Sequence, residues 1–169
     1  MPNLEIVVGD ITLIPVDAIV NAANERLRGG GGVDGAIHRA AGPELLEACR
    51  QHPHCPTGEA RVTPAFKLPA RHVIHTVGPV WQGGGSGEDA LLASAYRSAL
   101  AAAEQLDADS ISFPAISTGV YGFPRDRAAA IALREVQTWL ESGRRPRRVV
   151  LVSFDERGAE IYRALLDEP

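Results

Sequence analysis

The fold of this chain is decided by one stretch, Asn21-Ala22-Ala23-Asn24-Glu25-Arg26-Leu27-Arg28-Gly29-Gly30-Gly31-Gly32-Val33-Asp34-Gly35-Ala36-Ile37-His38. The apolar run just before it, ending at Val20, predicts a buried strand, and the pattern after the glycines predicts a helix. Four consecutive glycines between them let main-chain N–H groups approach a ligand closely, and a helix N-terminus favours anions. The stretch therefore predicts a phosphate-binding loop with polar neighbours.

The bulk properties of the chain favour one domain with a full apolar core. Its 169 residues suffice for a single domain, which we assign to residues 1–169. The composition is 45% hydrophobic but only 5% aromatic, so the core must consist mainly of Ala, Val, Ile and Leu. Such a composition suits helices packed on a sheet.

The charge of the chain argues against a nucleic-acid partner. The formal net charge is −4, whereas binding driven by counterion release needs a basic surface. The cluster Arg144-Arg145-Pro146-Arg147-Arg148 is the local exception and the sole support for an RNA-interacting regulator. A solvated loop after a helix C-terminus, where cations are favoured, explains the cluster better.

The sequence also sets expectations about location and assembly. Two cysteines give no disulfide framework, and no apolar run approaches the ~20 residues of a membrane span. No basic region followed by an apolar core marks a secretory signal. We expect a cytoplasmic monomer without a membrane segment.

Predicted strands and helices alternate along the chain. Strands are expected at residues 4–8, 18–20, 60–63, 73–77, 110–113 and 149–153, and helices at about 33–41, 44–51, 88–106, 124–142 and 156–166, the last capped by Asp155. This alternation implies a sheet with helices on both faces, whose ligands bind at loops beyond the strand C-termini. The glycine stretch and a second loop of small residues, 114–124, both occupy such positions.

Two other glycine-rich features do not indicate a different nucleotide site. Residues 30–35 match the Gly-x-Gly-x-x-Gly pattern, but about nine residues separate them from the strand and no acidic residue ends a second strand ~20 residues later. This argues against a nicotinamide-dependent oxidoreductase, and the absence of a Walker lysine argues against a nucleotide triphosphatase. The run Gly83-Gly84-Gly85-Ser86-Gly87 is expected to be a flexible linker into an exposed acidic turn.

Three polar residues around the glycines are candidates for chemistry. Asn24 lies near the glycines, where its amide can donate to and accept from sugar hydroxyls. Asp34 is either a helix-capping acid or, because a carboxylate beside a phosphate is a poor choice for affinity, a group that holds a water. Asn21 either closes a turn or contacts the ligand.

Aromatic and acidic residues at other strand ends are candidates for binding a base and a sugar. Asp10 either initiates a turn with Gly9 or accepts from the exocyclic amine of a base. Phe154 either stacks on a base or packs in the core. Of Tyr121 and Phe123 in the second loop, we expect one to pack on a sugar and the other to fill the core.

The histidines and cysteines carry weaker signals. His38 lies one helical turn after Asp34 on the same face, where a satisfied histidine is favoured over a general base. His75, in the middle of a strand, is expected to be structural. Cys49, His52, His54 and Cys55 match no standard zinc spacing, so we expect no metal.

Taken together, the motifs resemble those of the macrodomain family, in its MacroD-type branch close to bacterial O-acetyl-ADP-ribose deacetylases. The resemblance covers almost the whole chain. The matching motifs are Gly9-Asp10-Ile11-Thr12, Asn21-Ala22-Ala23-Asn24 with Gly29 to His38, His75-Thr76-Val77-Gly78-Pro79, and Phe113 to Pro124.

The resemblance implies a three-layer α/β/α fold with a mixed, mostly parallel sheet and ADP-ribose at its crest. It places Asp10, Ile11 and Phe154 at the adenine, and the two loops around the diphosphate. The full set of ligand contacts expected is Asp10, Ile11, Asn21, Gly31, Gly32, Val33, Ser117, Thr118, Gly119, Val120, Tyr121 and Phe154.

The resemblance also implies an activity without a cofactor or metal. It places Asn24 and Asp34 at the distal ribose as catalytic residues, with water held by Asp34 and the substrate diphosphate. The expected reaction is hydrolysis of ribose esters, namely O-acetyl-ADP-ribose and mono-ADP-ribose on acidic side chains of partner proteins. The alternative is a non-catalytic ADP-ribose reader, although readers commonly lack the Asn and Asp pair.

Overall fold

The structure is a computed structural model that describes residues 3–167. Its strands are β1 (Asn3–Val8), β2 (Ala18–Ala22), β3 (Ala60–Pro64), β4 (His72–Thr76), β5 (Ser110–Phe113) and β6 (Arg148–Ser153). Its helices are α1 (Gly32–Ala41), α2 (Glu44–Cys49), α3 (Glu88–Gln105), α4 (Arg125–Glu141) and α5 (Glu156–Leu166), with a 3-10 turn at Ile11–Leu13. Every strand and helix expected from the sequence is present, with boundaries shifted by at most two residues.

The six strands form one sheet in the order β1-β6-β5-β2-β4-β3. The pairings β1–β6, β6–β5, β5–β2 and β2–β4 are parallel, and only β3 runs antiparallel to its neighbour β4. The mixed, mostly parallel sheet predicted from the sequence is therefore confirmed.

Alternating strand residues enter two separate apolar cores. In β2, Ile19 packs in the core with α1 and α2, whereas Ala18 and Val20 pack in the core with α3, α4 and α5. In β6, Val150 and Val149 divide in the same way. Since both faces of a largely parallel sheet are covered, the central strands β2 and β6 carry apolar residues on both of their faces. The result is the expected α/β/α arrangement of three layers.

The site lies where the direction of chain progression reverses. From β2 the chain proceeds through α1 and α2 to β3 and β4 on one side, while β5 and β6 occupy the other side. The pairing of β2 with β5 ends at Ile19 and Ser112, although β2 continues to Ala22. This separation at the carboxyl ends opens a crevice, which is where ligands bind in sheets of this kind. The first loop, residues 23–31, and the second loop, residues 114–124, form its walls.

The glycine connector before α3 differs from the sequence expectation. Glu88 is not in an exposed turn; it is 2% exposed, and its carboxylate accepts hydrogen bonds from the backbone N–H groups of Gln82, Gly84 and Ser86 at 2.6–2.9 Å. These bonds lower the pKa of Glu88 to about 2, that of Gln82 having the largest effect. The connector is thus folded around a buried carboxylate rather than being a simple linker.

The arginine cluster after α4 is engaged with acidic partners on the protein itself. Arg144 forms two hydrogen bonds with Glu104 at 2.6 and 2.8 Å and lies over the Trp139 ring. Arg148 pairs with Glu5 at the start of β1. These ion pairs support the interpretation of residues 144–147 as a surface loop after α4, while Arg148 is already the first residue of β6. Among the described residues, no helix is both long and apolar enough to cross a membrane.

Candidate active site

The crevice between the two loops holds a cavity of about 890 Å³. That volume suits a ligand of nucleotide size. The predicted site residues that line it are Asp10, Ile11, Asn24, Gly31, Gly32, Val33, Asp34, Ser117, Thr118, Gly119, Val120, Tyr121 and Phe154. The structure thus brings together residues from four separate segments of the chain, and Asn21 is the one predicted site residue that does not line the cavity.

The N-terminus of α1 opens into this cavity without a cap. Gly31 is the N-cap residue and makes no side-chain hydrogen bond to the helix. The first N–H groups of a helix have no partner within it, and the helix dipole adds partial positive charge there. A Cβ atom on Gly31 or Gly32 would meet no protein atom within 4 Å, so the backbone is open to a ligand. This end of the cavity suits an anion such as a diphosphate.

The second loop supplies further donors from the opposite wall. Ser117 adopts a left-handed conformation with φ of 69°, and its Oγ is buried without a hydrogen-bond partner among residues 3–167. In the same part of the chain, the backbone N–H groups of Gly119, Val120 and Tyr121 are not used in the protein's hydrogen bonds. A strained residue with an unsatisfied buried hydroxyl is typical of a ligand site.

Trp81 and Gly78, which were not predicted to be site residues, support the second loop. The N–H of Trp81 donates to the carbonyl of Tyr121 at 2.8 Å, and the Trp81 ring packs on Phe123 with 4.7 Å between centroids. A Cβ on Gly78 would overlap Oγ of Ser117 and lie 2.5 Å from Ile116. Only a glycine after β4 permits this close approach, and the Gly78-Pro79 pair was the available signal in the sequence.

Of the two aromatic residues in the second loop, Phe123 fills the core and Tyr121 lies at the cavity. Phe123 is 2% exposed and lies in the apolar core, whereas Tyr121 lines the cavity. Burial, with the nearby carboxylates of Glu25 and Asp34, raises the pKa of Tyr121. Its hydroxyl is therefore protonated and able to donate to a ligand.

Asn24 and Asp34 approach the same point of the cavity wall. A Cβ added to Gly30 would lie 3.4 Å from Oδ2 of Asp34 and 3.8 Å from Nδ2 of Asn24. The Asn24 side chain is fixed locally, since it donates to the carbonyl of Gly29 and accepts from the N–H of Arg26. Its second amide hydrogen is left for a ligand. Gly30 keeps the space between the amide and the carboxylate open.

Asp34 is fixed by contacts on its buried side, and the N-cap of α1 is Gly31 instead. Its Oδ1 accepts from Nδ2 of Asn21 at 2.8 Å and lies 3.4 Å from Nε2 of His38. The structure corrects the placement of Asn21, which is 0% exposed and reaches the site only through Asp34. Both contacts use Oδ1, and Oδ2 accepts no hydrogen bond from residues 3–167, so it remains free on the side of Gly30 and Asn24. Such an arrangement can orient a water or a hydroxyl group.

The opposite end of the cavity suits a planar base. Oδ1 of Asp10 accepts from the N–H and the hydroxyl of Thr12 at 2.9 and 2.7 Å, which starts the 3-10 turn and lowers the pKa of Asp10. Its Oδ2 is left for an amine, so the turn and the ligand roles are compatible. Phe154 is 80% exposed and lines the cavity, which excludes the core-packing alternative. Arg125 lies 5.6 Å from the centre of its ring.

The remaining histidines and cysteines do not form a second site. His75 is 1% exposed, as expected for a structural histidine, and Cys49 is buried beside it with Sγ 3.7 Å from Nε2. Burial raises the pKa of both Cys49 and Cys55 to about 11, so neither is a reactive thiolate. Within residues 3–167, no group of three or more His, Cys, Asp or Glu side chains is suited to hold a metal.

Comparison with known proteins identifies the family of this chain. A family model described as Macro domain matches residues 20–132, and the chain belongs to the macrodomain family. The resemblance stated from the sequence motifs, and the fold that it implied, are therefore confirmed.

Curated relatives match almost the full length of the chain. It is 56% identical over 170 residues to a protein named O-acetyl-ADP-ribose deacetylase from Salmonella gallinarum, with 98% of this chain and 95% of the relative covered. It is 56% identical over 162 residues to a Macro domain-containing protein from Mesorhizobium japonicum, with 96% and 92% covered.

Solved structures with a bound ligand share the fold. A mutant macrodomain of Oceanobacillus iheyensis with ADPR superposes with a TM-score of 0.93 at 50% identity, covering 98% of this chain and 92% of that one. A Trypanosoma brucei macrodomain in complex with ADP-ribose gives a TM-score of 0.92 at 44% identity, with 97% and 69% covered.

Proposed function

We propose that this protein is an ADP-ribosyl ester hydrolase that acts as an O-acetyl-ADP-ribose deacetylase. The observation that carries the proposal is the convergence of Asn24 and the free Oδ2 of Asp34 on one point of the wall, beside Gly30. A binding module needs the anion site and the base site but has no use for a carboxylate oxygen kept free beside them. The names of the curated relatives support the same reaction.

The proposed binding mode uses the two ends of the cavity. The diphosphate lies against the open N-terminus of α1. It accepts hydrogen bonds from the N–H groups of the second loop and from the hydroxyl of Ser117. The adenine stacks on Phe154 and donates its amine to Asp10. This explains how a chain with a net charge of −4 binds a dianion, because the donors are backbone groups rather than lysines.

The distal ribose then lies at Asn24 and Asp34. The amide of Asn24 holds a ribose hydroxyl, while Oδ2 of Asp34 and the diphosphate orient a water towards the ester. The water oxygen adds to the carbonyl carbon of the ester, the bond from that carbon to the ribose oxygen breaks, and the ribose oxygen takes up a proton. ADP-ribose and the carboxylic acid are the products.

The test is release of acetate from O-acetyl-ADP-ribose by the wild type and by Asp34→Asn. This variant keeps an oxygen for the N–H of Asn21 but presents an N–H group to the water, so we expect kcat to fall about a hundredfold or more. Affinity for ADP-ribose should change little. Asn24→Ala should lower kcat/KM by about tenfold, since it removes one hydrogen bond to the ribose. Glu160→Gln, which removes an exposed carboxylate on α5, is the control and should behave as wild type.

The alternative function, a non-catalytic ADP-ribose reader, gives a different result. A reader binds ADP-ribose tightly, releases no acetate, and is unaffected in function by Asp34→Asn. If Asp34→Asn turns over as fast as wild type, the reaction stands but the role of Asp34 is wrong.

The finer substrate assignment is also a proposal. A protein mono-ADP-ribosylated on glutamate presents the same ribose ester class, so the same variants should slow release of ADP-ribose from it. The single macrodomain over residues 1–169, the cytoplasmic location and the monomeric state stay predictions, and gel filtration with light scattering tests the last of them.

A further inference from the structure

Behind Asp34, a line of buried polar groups continues through the sheet. Asn21 of β2 and His75 of β4 are direct cross-strand partners. Nδ2 of Asn21 lies 2.8 Å from Oδ1 of Asp34 and 3.2 Å from Nδ1 of His75, and Nε2 of His75 lies 2.9 Å from Oγ1 of Thr63. All four side chains are at most 6% exposed.

The donors and acceptors in this line admit one arrangement. Asp34 is an acceptor, so Asn21 must present its amide nitrogen and not its oxygen to the carboxylate. The same nitrogen then directs its second hydrogen to His75, whose Nδ1 must be an unprotonated acceptor. The proton of the neutral imidazole therefore lies on Nε2 and is donated to Thr63.

Within residues 3–167, no other hydrogen bond holds the amide of Asn21 in this orientation. Its Oδ1 is buried and has no hydrogen-bond partner among the described residues. If the amide rotated by half a turn, its oxygen would face the Asp34 carboxylate, which is an acceptor against an acceptor. The orientation is thus set by two contacts only, one to Asp34 itself and one to His75.

The burial of His75 keeps this arrangement intact. Burial, together with the neighbouring His38 ring 6.5 Å away, lowers the pKa of His75 to about 3. The side chains nearest the ring are Asn21, Thr63, His38 and the thiol of Cys49 at 3.7 Å. Of the more distant groups, Asp34 acts to raise the pKa of the ring and His52 acts to lower it. A protonated ring would direct an N–H at the N–H of Asn21, and the neutral ring avoids this conflict.

We propose that His75 is a positioning residue for the hydrolysis, because its unprotonated Nδ1 orients the amide of Asn21 and through it the carboxylate of Asp34. This inference rests on the proposed function, and it adds a residue outside the cavity to those that act in the reaction. His75 is 1% exposed and does not line the cavity, so a ligand or water bound there would not touch it. Its effect should therefore fall on kcat and not on the affinity for ADP-ribose.

Two variants of equal shape separate the hydrogen bond from packing. His75→Asn places an amide oxygen where Nδ1 accepted, whereas His75→Leu has nearly the same size and branching but no acceptor. Both leave the same space around Thr63 and Cys49. We expect His75→Leu to lower kcat by about tenfold or more, as for loss of a buried hydrogen bond, and His75→Asn to retain kcat within about threefold. The dissociation constant of ADP-ribose should stay within about threefold of wild type in both.

A spectroscopic measurement reports on the histidine directly. Ring nitrogen NMR of the wild-type protein at neutral pH should show His75 with a protonated Nε2 and an unprotonated Nδ1. A proton on Nδ1, or equal kcat for the Asn and Leu variants, overturns the inference while acetate release by the wild type continues. If the wild type releases no acetate but the ring shows the expected tautomer, the proposed function has failed, and the catalytic role of His75 fails with it.

Discussion

Gly35 in the first turn of α1 lies directly against the carbonyl oxygen of Gly30: a Cβ at Gly35 would be 2.6 Å from that oxygen. This is closer than any side-chain carbon can approach, and the obstacle is backbone rather than a flexible side chain. The contact fixes the segment of the first loop that passes between Asn24 and Asp34. The glycine at this position therefore determines the width of the gap in which the ester would be attacked.

Replacement of Gly35 by alanine should consequently affect both stability and turnover. The variant must displace Gly30, so we expect a loss of about 1–3 kcal/mol in the free energy of unfolding, as for other overpacked sites. Deacetylation should fall by about tenfold or more, since small displacements of reacting groups are costly. Urea unfolding and acetate release measure the two effects. Gly85→Ala is the matched control, because a Cβ there meets nothing within 4 Å; equal losses in both variants would contradict the argument.

Ser117 offers a second prediction, in which strain and ligand binding are separated. Ser117→Ala removes the unpaired hydroxyl but keeps the strain of a non-glycine residue in the left-handed conformation, whereas Ser117→Gly removes both the hydroxyl and the strain. Because a hydrogen bond to a charged group is lost, we expect ADP-ribose affinity to fall by about tenfold in each. The free energy of unfolding, measured with urea, should be about 1 kcal/mol higher for the glycine variant than for the alanine variant, because glycine adopts this conformation without strain. Unchanged affinity in both variants would exclude the hydroxyl from the diphosphate site.

Arg125 supplies a third prediction, at the base end of the cavity. Its guanidinium bonds to both carboxylate oxygens of Asp155 at 2.6 and 3.3 Å and lies 5.6 Å from the centre of the Phe154 ring. Arg125→Lys keeps the charge but loses the planar two-pronged contact, so the exposed ring loses its support. We expect a fall in ADP-ribose affinity of a few fold, against about tenfold or more for Phe154→Ala, which removes the stacking surface itself.

Pyrophosphate is the discriminating ligand for this prediction, because it occupies the anion site but has no base. Its competition with ADP-ribose should give the same pyrophosphate affinity in wild type, Arg125→Lys and Phe154→Ala. A parallel loss of pyrophosphate affinity would mean that the substitutions disturb the whole cavity.

Local patterns in the sequence were enough to predict the fold and most of the residues that line the cavity. The glycine run after β2 and the small residues after β5 were readable as ligand loops because they follow adjacent parallel strands. The cap at Asp155 was equally local, and its carboxylate does accept from the N–H of Gly158 at 2.9 Å. Features that depend on neighbours within a few residues were thus predictable.

The features that could not be predicted depend on contacts across the fold. Asn21 is a polar residue near the end of β2, as expected for a ligand contact, but its burial and its pairing with His75 follow from the register of β2 on β4. The exposure of Phe154 depends on whether another element covers the end of β6. Glu88 has the sequence context of a solvated helix start, and its three backbone partners become apparent only when the connector is folded around it.

Glu88 leads to a prediction about acid stability. Its pKa is lowered from 4.5 to about 2 in the folded protein, mainly by the N–H of Gln82, so the folded state holds the carboxylate in its charged form. A carboxylate with a lowered pKa stabilises the folded state at pH values above the pKa that it has in the unfolded chain. This stabilisation is lost as the pH falls from about 4.5 towards about 2. Glu88→Gln, which cannot accept from three N–H groups as a charged carboxylate does, should be less stable than wild type at neutral pH.

The difference between wild type and Glu88→Gln should shrink steadily as the pH is lowered through this range. Urea unfolding at a series of pH values between about 7 and 2.5 measures this difference. It should decrease towards low pH because protonation of Glu88 removes the stabilisation that the charged carboxylate provides. Glu160→Gln on the exposed face of α5 serves as the control for the loss of one carboxyl group and should show no comparable trend. Because Glu88 holds the N–H of Gln82, and the preceding residue Trp81 bonds to Tyr121, the variant should also weaken ADP-ribose binding. A stability difference that is constant with pH would show that Glu88 acts through its shape alone and not through its charge.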